Sequence, residues 1–325
     1  MPIPVILCVD VEPDQRPLNH DAPPPWTGYE LTQRYMAELR ARIERRTGTP
    51  AQLNWFLRMD PQVAEAYGSA SVLVDRYRGH IDDVTGRGDE VGLHTHAFRW
   101  LRDERSWLED YADDAWVEHC VRSSIDAYAG ALGRACTSHR FGGRWVSTAA
   151  VNVCERAGIR FDLSIEPGVH DGPVSIVPDV GTGELPDLRR VPRVPYTPSS
   201  SEFREQQRAP RAIRMVPLTS TYVRRGHRFR GYIKRLVGNR GQWRQSEPLA
   251  PYRDWEAPDT FDRLLGRALA AQERPYLAFA VRSDFALSKR GLAIVDASLD
   301  ALLAHRSATD FVFCTPPQAL AILEA

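Results

Sequence analysis

The chain has 325 residues, 43% of them hydrophobic, so it can bury a sizeable core in one large domain or two smaller ones. Lys+Arg and Asp+Glu are equal at 42 each, and this balance indicates no partner class. No apolar run approaches the length of about 20 residues needed to span a membrane. The five widely spaced cysteines are typical of reduced thiols, and no secretion signal is evident. We therefore expect a soluble cytoplasmic protein.

Strand-like and helix-like patterns alternate along most of the chain. Apolar runs of strand length lie at 3–9, 52–57, 90–96, 137–142, 160–165, 276–282 and 310–314. Amphipathic patterns typical of helices lie at 30–46, 147–158, 259–273, 291–305 and 316–323. Such alternation predicts parallel strands joined by helical crossovers. About seven β/α units favour a closed or nearly closed barrel over an open sheet.

One stretch, 167–258, breaks this alternation and is rich in Pro, Gly, Ser and Arg. Between 203 and 245 it carries twelve cationic residues and one acidic residue, Glu205. One interpretation is a solvated insertion within a single domain. Another is a lid that binds an anionic ligand, such as the phosphates of a sugar nucleotide or a lipid carrier. Nucleic acid is a weaker candidate, because the rest of the chain is correspondingly acidic and no recognition motif is present.

The residues with the clearest chemical meaning are Asp10, Glu12, His94 and His96. The carboxylates follow the first apolar run, and the histidines follow the third. Because side chains at i and i+2 of a strand point to the same face, each pair projects together. Two imidazoles with one or two carboxylates form a ligand set for a divalent ion, of which zinc is the first candidate. Polar strand caps would explain any one of these residues, but two such pairs favour a metal site.

Several short segments resemble, in order, the motifs of the NodB-type polysaccharide deacetylases (carbohydrate esterase family four). The run 6–12, ILCVDVE, resembles the first motif, and 88–94, GDEVGLH, resembles the approach to the metal-histidine motif. The run 140–145, RFGGRW, is similar to the third motif, and 161–164, FDLS, to the fourth. The segment 53–57 takes the place of the family's second strand. Each match is weak, whereas the ordered set is fairly specific for a divergent member.

The resemblance implies a fold, a reaction and a set of roles. The fold would be an irregular (β/α)7 barrel, and the reaction would be metal-dependent removal of acetyl from an N-acetylated sugar. The roles it implies are Asp10 as general base, Glu12 as a metal ligand in place of the usual Asp, His94 as the first metal histidine, Arg140 as the partner that orients Asp10, and Asp162 as a residue lining the site.

Barrel enzymes carry their chemistry at the C-terminal ends of the strands, and charged residues follow most of the apolar runs here. Besides the residues already named, these positions are Arg58, Asp60, Arg282 and Asp284. We therefore expect substrate contacts from Asp60, Asp162 and Asp284 and from the pair Arg144 and Trp145. An Arg beside a Trp could stack on a sugar or simply pack.

The chain departs from the family pattern at two positions. The family's second histidine lies four residues after the first, where this chain has Phe98, so His96 is the expected substitute. The family's general-acid histidine at the end of a late strand is replaced by Arg282. Arginine can stabilise an oxyanion, but it cannot protonate a leaving amine. His139 or His170 could supply the acid, although each is more simply explained as a structural or surface histidine.

Three functions remain open on this reading. The first is a metal-dependent hydrolase of an N-acyl amino sugar, with Asp10 as base, Arg140 holding Asp10 and Arg282 supporting the oxyanion. For it we favour a small activated or lipid-linked sugar over an external polymer. The second is a non-catalytic protein that binds a glycan or phosphosugar on a deacetylase scaffold. The third and weakest is glycoside hydrolysis through Glu12 or Asp162.

Overall fold

A computed structural model of the chain describes residues 1–15, 18–169, 171–173, 181–223, 245–252 and 260–325. The strands within these ranges are β1 (Ile3–Val11), β2 (Asn54–Arg58), β3 (Glu90–Thr95), β4 (Phe98–Leu101), β5 (Ser106–Asp110), β6 (Ser138–Phe141), β7 (Phe161–Asp162), β8 (Gly172–Pro173), β9 (Gly181–Thr182), β10 (Glu184–Leu185), β11 (Arg214–Met215), β12 (Ser220–Val223), β13 (Gln245–Pro248), β14 (Leu277–Arg282) and β15 (Phe311–Phe313).

The helices flank these strands. They are α1 (Thr27–Thr47), α2 (Pro61–Tyr67), α3 (Val72–Arg76), α4 (Arg78–Gly86), α5 (Asp114–Leu132), α6 (Thr148–Arg156), α7 (Thr260–Ala270), α8 (Lys289–Ala304) and α9 (Pro316–Glu324). As the sequence predicts, Ser147 caps α6, its side chain accepting a hydrogen bond from the backbone of Ala150. Every helix in the described ranges is too short or too polar to cross a lipid bilayer.

Seven parallel strands of the described chain form a curled sheet in the order β11-β7-β6-β3-β2-β1-β14, and β15 pairs with the start of β1. The two ends of the sheet meet just beyond β11. There the Thr219 N–H donates to the Ala278 carbonyl at 2.7 Å, and the Thr219 Oγ1 accepts from the Ala278 N–H at 2.8 Å. The prediction of an irregular (β/α)7 barrel is confirmed.

The alternation of side chains along β1 determines where the two candidate carboxylates lie. Ile6 and Cys8 pack together with Phe56 of β2 in one buried cluster, whereas Leu7 and Val9 belong to the larger core that includes the helices. Asp10 and Glu12 continue the face of Ile6 and Cys8, because side chains two residues apart in a strand share a face. Both carboxylates therefore emerge at the C-terminal end of the barrel, as barrel enzymes require.

The stretch 167–258 is more closely tied to the barrel than its composition indicates. It supplies β11, a barrel strand only two residues long, which is too short to produce a periodic signal in the sequence. Among the twelve cationic residues of this stretch, Arg211 bonds Glu155 of α6, and Arg214 bonds Glu324 of α9. Residues 224–244, which carry eight of the twelve, lie outside the described residues. The lid interpretation therefore stays a prediction.

Candidate metal centre

Three side chains from the first and third strands of the barrel converge at its C-terminal end. Glu12 Oε1 lies 3.2 Å from Nε2 of His94 and 3.3 Å from Nε2 of His96. The two Nε2 atoms are 3.1 Å apart. All three side chains are buried, with relative exposures of 1% for Glu12, 3% for His94 and 0% for His96. The i,i+2 spacing of the histidines thus brings both rings to one point, as the sequence predicts.

The hydrogen bond at Nδ1 of each imidazole, the nitrogen that faces away from Glu12, determines whether Nε2 can donate or accept. His94 Nδ1 lies 3.0 Å from the backbone carbonyl of Arg140, and His96 Nδ1 lies 3.2 Å from Oε1 of Glu109. A carbonyl oxygen and a carboxylate oxygen can only accept, so each neutral ring carries its proton on Nδ1. Both Nε2 atoms then present lone pairs to one another and to Glu12.

Three acceptors that converge without a hydrogen between them repel one another unless a cation lies among them. A proton on one imidazole would relieve part of this repulsion, and a divalent metal ion would relieve all of it. Two bonds of about 2.1 Å that meet at a tetrahedral angle place their ligand atoms about 3.4 Å apart, close to the separations seen here. Two nitrogens and one carboxylate oxygen therefore fit a divalent ion and leave a fourth position open.

The second oxygen of Glu12 is held by Arg58, which is fully buried at the end of β2. Arg58 Nη1 donates to Glu12 Oε2 at 2.8 Å, and its Nε donates to Asp60 Oδ2 at 2.6 Å. Burial alone would raise the pKa of Glu12, but the positive charge of Arg58 acts against burial, and the pKa lies well below its usual value. Arg58 thereby keeps Glu12 ionised and directs its other oxygen at the histidines.

Arg140, at the end of β6, joins the base candidate to the metal candidates. Its Nε lies 3.0 Å from both oxygens of Asp10, and its backbone carbonyl accepts from His94. Glu166 lies 3.7 Å from its Nη2. Burial alone would lower the pKa of Arg140, but the charges of Asp10 and Glu166 raise it. The guanidinium therefore stays charged and orients Asp10, the role that the resemblance implies.

The ring of His96 occupies space that only a glycine leaves free. A Cβ at Gly142 would lie 1.9 Å from Cε1 and 2.0 Å from Nε2 of His96. The Gly142 N–H donates to the Thr95 carbonyl at 2.9 Å, so β3 and the turn after β6 are held together at this point. The first glycine of the motif RFGGRW is thus required by the imidazole that packs against it.

Arg282 lies at the end of β14, directly beside Asp10 in the register of the parallel strands. Its Nη2 donates to Asp284 Oδ2 at 2.6 Å. Burial alone would lower its pKa, but the charges of Glu12, Asp284 and Asp10 raise it. The neighbouring Ser283 also fixes the chain at Glu12, since its Oγ accepts from the Glu12 N–H at 2.9 Å and donates to the Glu12 carbonyl at 3.0 Å.

Several residues predicted to contact substrate make contacts within the protein instead. Asp60 is fully buried and caps α2, with its oxygens bonded to Arg58 and to the backbone of Val63 and His96. Trp145 is buried and stacks on Tyr111 at 4.5 Å between ring centroids, so its ring packs. Asp284 is paired with Arg282. Arg144 is exposed on the turn after β6 with a φ of 60°, an uncommon conformation for a non-glycine residue.

Asp162 lies away from the metal candidates. It is fully buried, its Oδ2 lies 3.1 Å from His139 Nδ1, and its Oδ1 accepts from the Ser164 N–H. His139 Nε2 in turn lies 3.1 Å from Oγ1 of Thr95, the residue between the candidate ligands His94 and His96. The trio His139, Cys154 and Asp162 is close enough to hold an ion, but both ring nitrogens of His139 already have partners. His139 is thus a structural histidine, and His170 lies outside the described residues.

Sequence reasoning missed two supporting residues, Glu109 and Glu166. Glu109 comes from β5, which belongs to a hairpin that follows β3, and no motif identifies it. The sequence identifies Arg58 as a charged strand end but does not identify it as the partner of Glu12. A buried arginine directly after an apolar run is the signal that could have found that role, because it needs a carboxylate partner.

Comparisons with protein-family models and with curated protein sequences found no match. Comparison with solved structures found similar proteins. A protein of Parabacteroides distasonis classed as a glycoside hydrolase/deacetylase aligns with a TM-score of 0.59 at 13% identity, over 99% of this chain and 71% of that chain. A Mycobacterium smegmatis protein classed as a polysaccharide deacetylase aligns with a TM-score of 0.53 at 10% identity, over 99% and 90%. The chain therefore has the fold of the NodB-like polysaccharide deacetylases.

Proposed function

We propose that the chain is a metal-dependent hydrolase that removes an acyl group, most simply N-acetyl, from an amino-sugar substrate. The observation that carries the proposal is the convergence of Glu12, His94 and His96, whose carboxylate oxygen and two Nε2 atoms lie 3.1 to 3.3 Å from one another. The outer hydrogen bonds of both imidazoles support it, because they orient the rings as metal-ligating histidines are oriented in proteins. Zinc is the proposed ion, since two imidazoles and one carboxylate with an open position are typical of catalytic zinc.

In this proposal Glu12, His94 and His96 hold the ion, which would lower the pKa of water and polarise the acyl carbonyl. Asp10 accepts a proton from the attacking water, and Arg140 holds Asp10 in position for this step. Arg282, adjacent to Asp10, donates to the oxyanion that develops on the acyl carbonyl. The C–N bond breaks as the leaving nitrogen is protonated.

The proton for the leaving nitrogen needs a source, because Arg282 cannot give one up. We assign it to Asp10, which holds the proton taken from water and lies beside Arg282. His139 is not available, since it is buried on the far side of β3 from the ligands and bonded to Asp162 and Thr95. One carboxylate then serves first as base and afterwards as acid.

A second candidate function is binding without hydrolysis. The observation that favours it is Arg282, which stands where a proton donor is expected and is paired with Asp284. In this case the site would hold a glycan or phosphosugar through Arg282 and Arg144.

The test begins with the metal content of protein purified without added metal. We expect about one zinc or similar ion per chain in the wild type, little in His94→Ala/His96→Ala, and an unchanged amount in His119→Ala, which removes an exposed histidine of α5. We then expect acetate release from N-acetyl amino sugars by the wild type. Asp10→Asn should keep the metal and lose turnover by at least about 100-fold. Metal binding without acetate release from any such sugar would favour the binding protein, and no metal after incubation with zinc would exclude the hydrolase.

A further inference from the structure

Arg58 lies on the strand between the two strands that carry the candidate metal ligands. Its strand, β2, pairs with β1 on one side and with β3 on the other. In the register of β2 and β3, Arg58 is directly beside His94. On the other side, the pair formed by Leu57 and Val11 precedes Arg58 and Glu12 by one residue. The arginine therefore starts from a backbone position next to both ligand-bearing strand ends.

A set of buried hydrogen bonds fixes the guanidinium of Arg58. Its Nη1 donates to Glu12 Oε2 at 2.8 Å. Its Nε and Nη2 donate to the two oxygens of Asp60 at 2.6 and 3.1 Å, and Nη2 also donates to Gln62 Oε1 at 2.7 Å. Arg58 and all three partners are buried. Arg58 therefore cannot turn away from Glu12 without leaving buried polar groups unpaired, which is costly.

Asp60, which anchors Arg58, is itself held by two other elements. It accepts a hydrogen bond from the Val63 N–H in the first turn of α2 at 3.3 Å. It also accepts from the His96 N–H at 3.1 Å. One carboxylate thus joins Arg58 to the backbone of a candidate ligand, so the fold sets the position of the guanidinium before any ion binds.

The contact with Arg58 divides the two oxygens of Glu12 between different partners. Oε2 bonds the guanidinium, whereas Oε1 lies 3.2 Å from Nε2 of His94 and 3.3 Å from Nε2 of His96. An ion bound by both imidazoles would then meet one carboxylate oxygen. The negative charge of Glu12 is also partly balanced, because an arginine stays protonated in proteins.

Divalent ions respond differently to a set of two imidazole nitrogens and one such oxygen. Magnesium, calcium and manganese prefer carboxylate, carbonyl and water oxygens, and calcium often takes both oxygens of one carboxylate. Zinc binds imidazole nitrogen well and is commonly four-coordinate. Loss of one carboxylate oxygen and of part of its charge therefore weakens the binding of an ion that prefers oxygen more than the binding of zinc.

We propose that Arg58 is a positioning residue that sets the metal selectivity of the centre, because it holds Glu12 as a one-oxygen ligand and so favours zinc over manganese. The inference rests on the proposed function, since it takes Glu12, His94 and His96 as the ligands. It adds that part of the choice of ion comes from an arginine that does not touch the metal.

The experiment measures the Kd of the wild type, Arg58→Gln and Arg58→Lys for zinc chloride and for manganese chloride by competition with a chelator. Arg58→Gln removes the positive charge and the bond to Oε2 of Glu12. We therefore expect the ratio of the manganese Kd to the zinc Kd to fall at least about tenfold. Arg58→Lys keeps a compact positive charge beside Glu12, so its ratio should stay within about threefold of the wild-type ratio.

Arg40→Gln is the matched control. Arg40 is another buried arginine, which bonds Asp89 at 2.5 Å and the Ala51 carbonyl. These partners precede β3 and β2, at the end of the barrel opposite the ligands. Loss of Arg40 should lower stability and leave the ratio of the two constants unchanged. A purely structural role of Arg58 would likewise weaken the binding of both ions together and leave the ratio unchanged.

The outcomes separate this inference from the proposed function. An unchanged ratio in Arg58→Gln would overturn the role of Arg58 while leaving the metal centre intact, as would equal affinity of the wild type for the two ions. Binding of neither ion by the wild type would overturn the metal centre itself, and the role of Arg58 with it. If Arg58→Gln does not fold, a crystal structure of the zinc-loaded wild type decides. We expect Oε1 of Glu12 on the ion and Oε2 on Arg58, and coordination through both oxygens would contradict the proposal.

Discussion

The Nε2 atoms of His94 and His96 lie 3.1 Å apart and face the same oxygen of Glu12. Each ring is fixed by an acceptor on its Nδ1, so a neutral ring cannot turn its proton toward the other without losing that bond. These donor atoms are therefore arranged as a set of metal ligands more than as a network of hydrogen bonds. Each of the following predictions alters one support of this arrangement or one group beside it.

Gly142→Ala should disturb the metal centre without touching a ligand. The new Cβ would lie 1.9 Å from the His96 ring, which must move away from Glu12 and His94. We expect metal affinity to fall at least about tenfold and stability to fall by about 1–3 kcal/mol. Gly130→Ala is the matched control, since a Cβ there meets nothing within 4 Å and should leave metal content unchanged. Wild-type zinc affinity in Gly142→Ala, measured by competition with a chelator, would show that His96 is not a ligand.

Glu109→Gln should weaken metal binding through His96. A glutamine can still accept from His96 Nδ1, but it lacks the negative charge that makes the imidazole a stronger donor to a metal. We expect zinc affinity to fall by about 10–100-fold with little change in the folded structure. Glu104→Gln, an exposed change in the turn of the same hairpin, serves as the control. Equal zinc affinity in the two variants would remove Glu109 from the centre.

The Tyr252→Phe variant tests whether Asp10 or Tyr252 supplies the proton for the leaving nitrogen. Tyr252 is 44% exposed, and its pKa is raised by loss of hydration and by the charge of Glu166, with Asp10 acting in the same direction. Because we assign the proton to Asp10, kcat should stay within about threefold of the wild type and the pH profile should keep its shape. A loss of about 100-fold or more in kcat, with the alkaline limb of the profile displaced, would make Tyr252 the general acid.

Glu155→Gln tests how the segment before β11 is held to the barrel. Glu155 accepts from Arg211 and from the Ala212 N–H at 2.8 Å. Burial alone would raise its pKa, but these bonds lower it overall. A group with a lowered folded-state pKa stabilises the fold above its unfolded value of about 4.3 and loses that contribution as the pH falls through the folded value.

The variant should therefore be less stable than the wild type by about 1–2 kcal/mol at pH 7, and the difference should shrink below about pH 4. Glu38→Gln, an exposed change on α1, should show a smaller effect at both pH values. Thermal unfolding followed by circular dichroism measures both variants. A difference between Glu155→Gln and the wild type that stays constant with pH would rule out the ionised bond to Arg211 as its origin.

Much of the fold could be predicted from local pattern. Alternation of apolar runs with amphipathic segments indicated parallel strands and crossovers, because burial on a pleated strand or a helix imposes a period on the chain. β11 escaped this reading, since two residues are too few to show a period. It became visible only where Arg214 and Met215 pair with Phe161 and Asp162 of β7. The two ends of the sheet meet just beyond it, where Thr219 bonds Ala278.

The candidate ligands could also be predicted from the sequence. Residues two apart on a strand share a face whatever the rest of the chain does, so Glu12 could be grouped with Asp10, and His94 with His96. Their convergence needed β1 and β3 to lie on either side of β2 in the sheet. Asp162 shows the limit of such reasoning, because its motif predicts a place in the site, while its carboxylate bonds His139 behind β3.

The contacts between distant segments could not be predicted from the pattern of residues along the chain. Arg58 reaches Glu12 across 46 positions, and Arg140 reaches Asp10 across 130. Strand identity and strand faces follow from the local physics of burial and backbone geometry, and so they can be read along the chain. The partner that neutralises each buried charge depends on how the barrel closes, and only the folded chain brings those partners together.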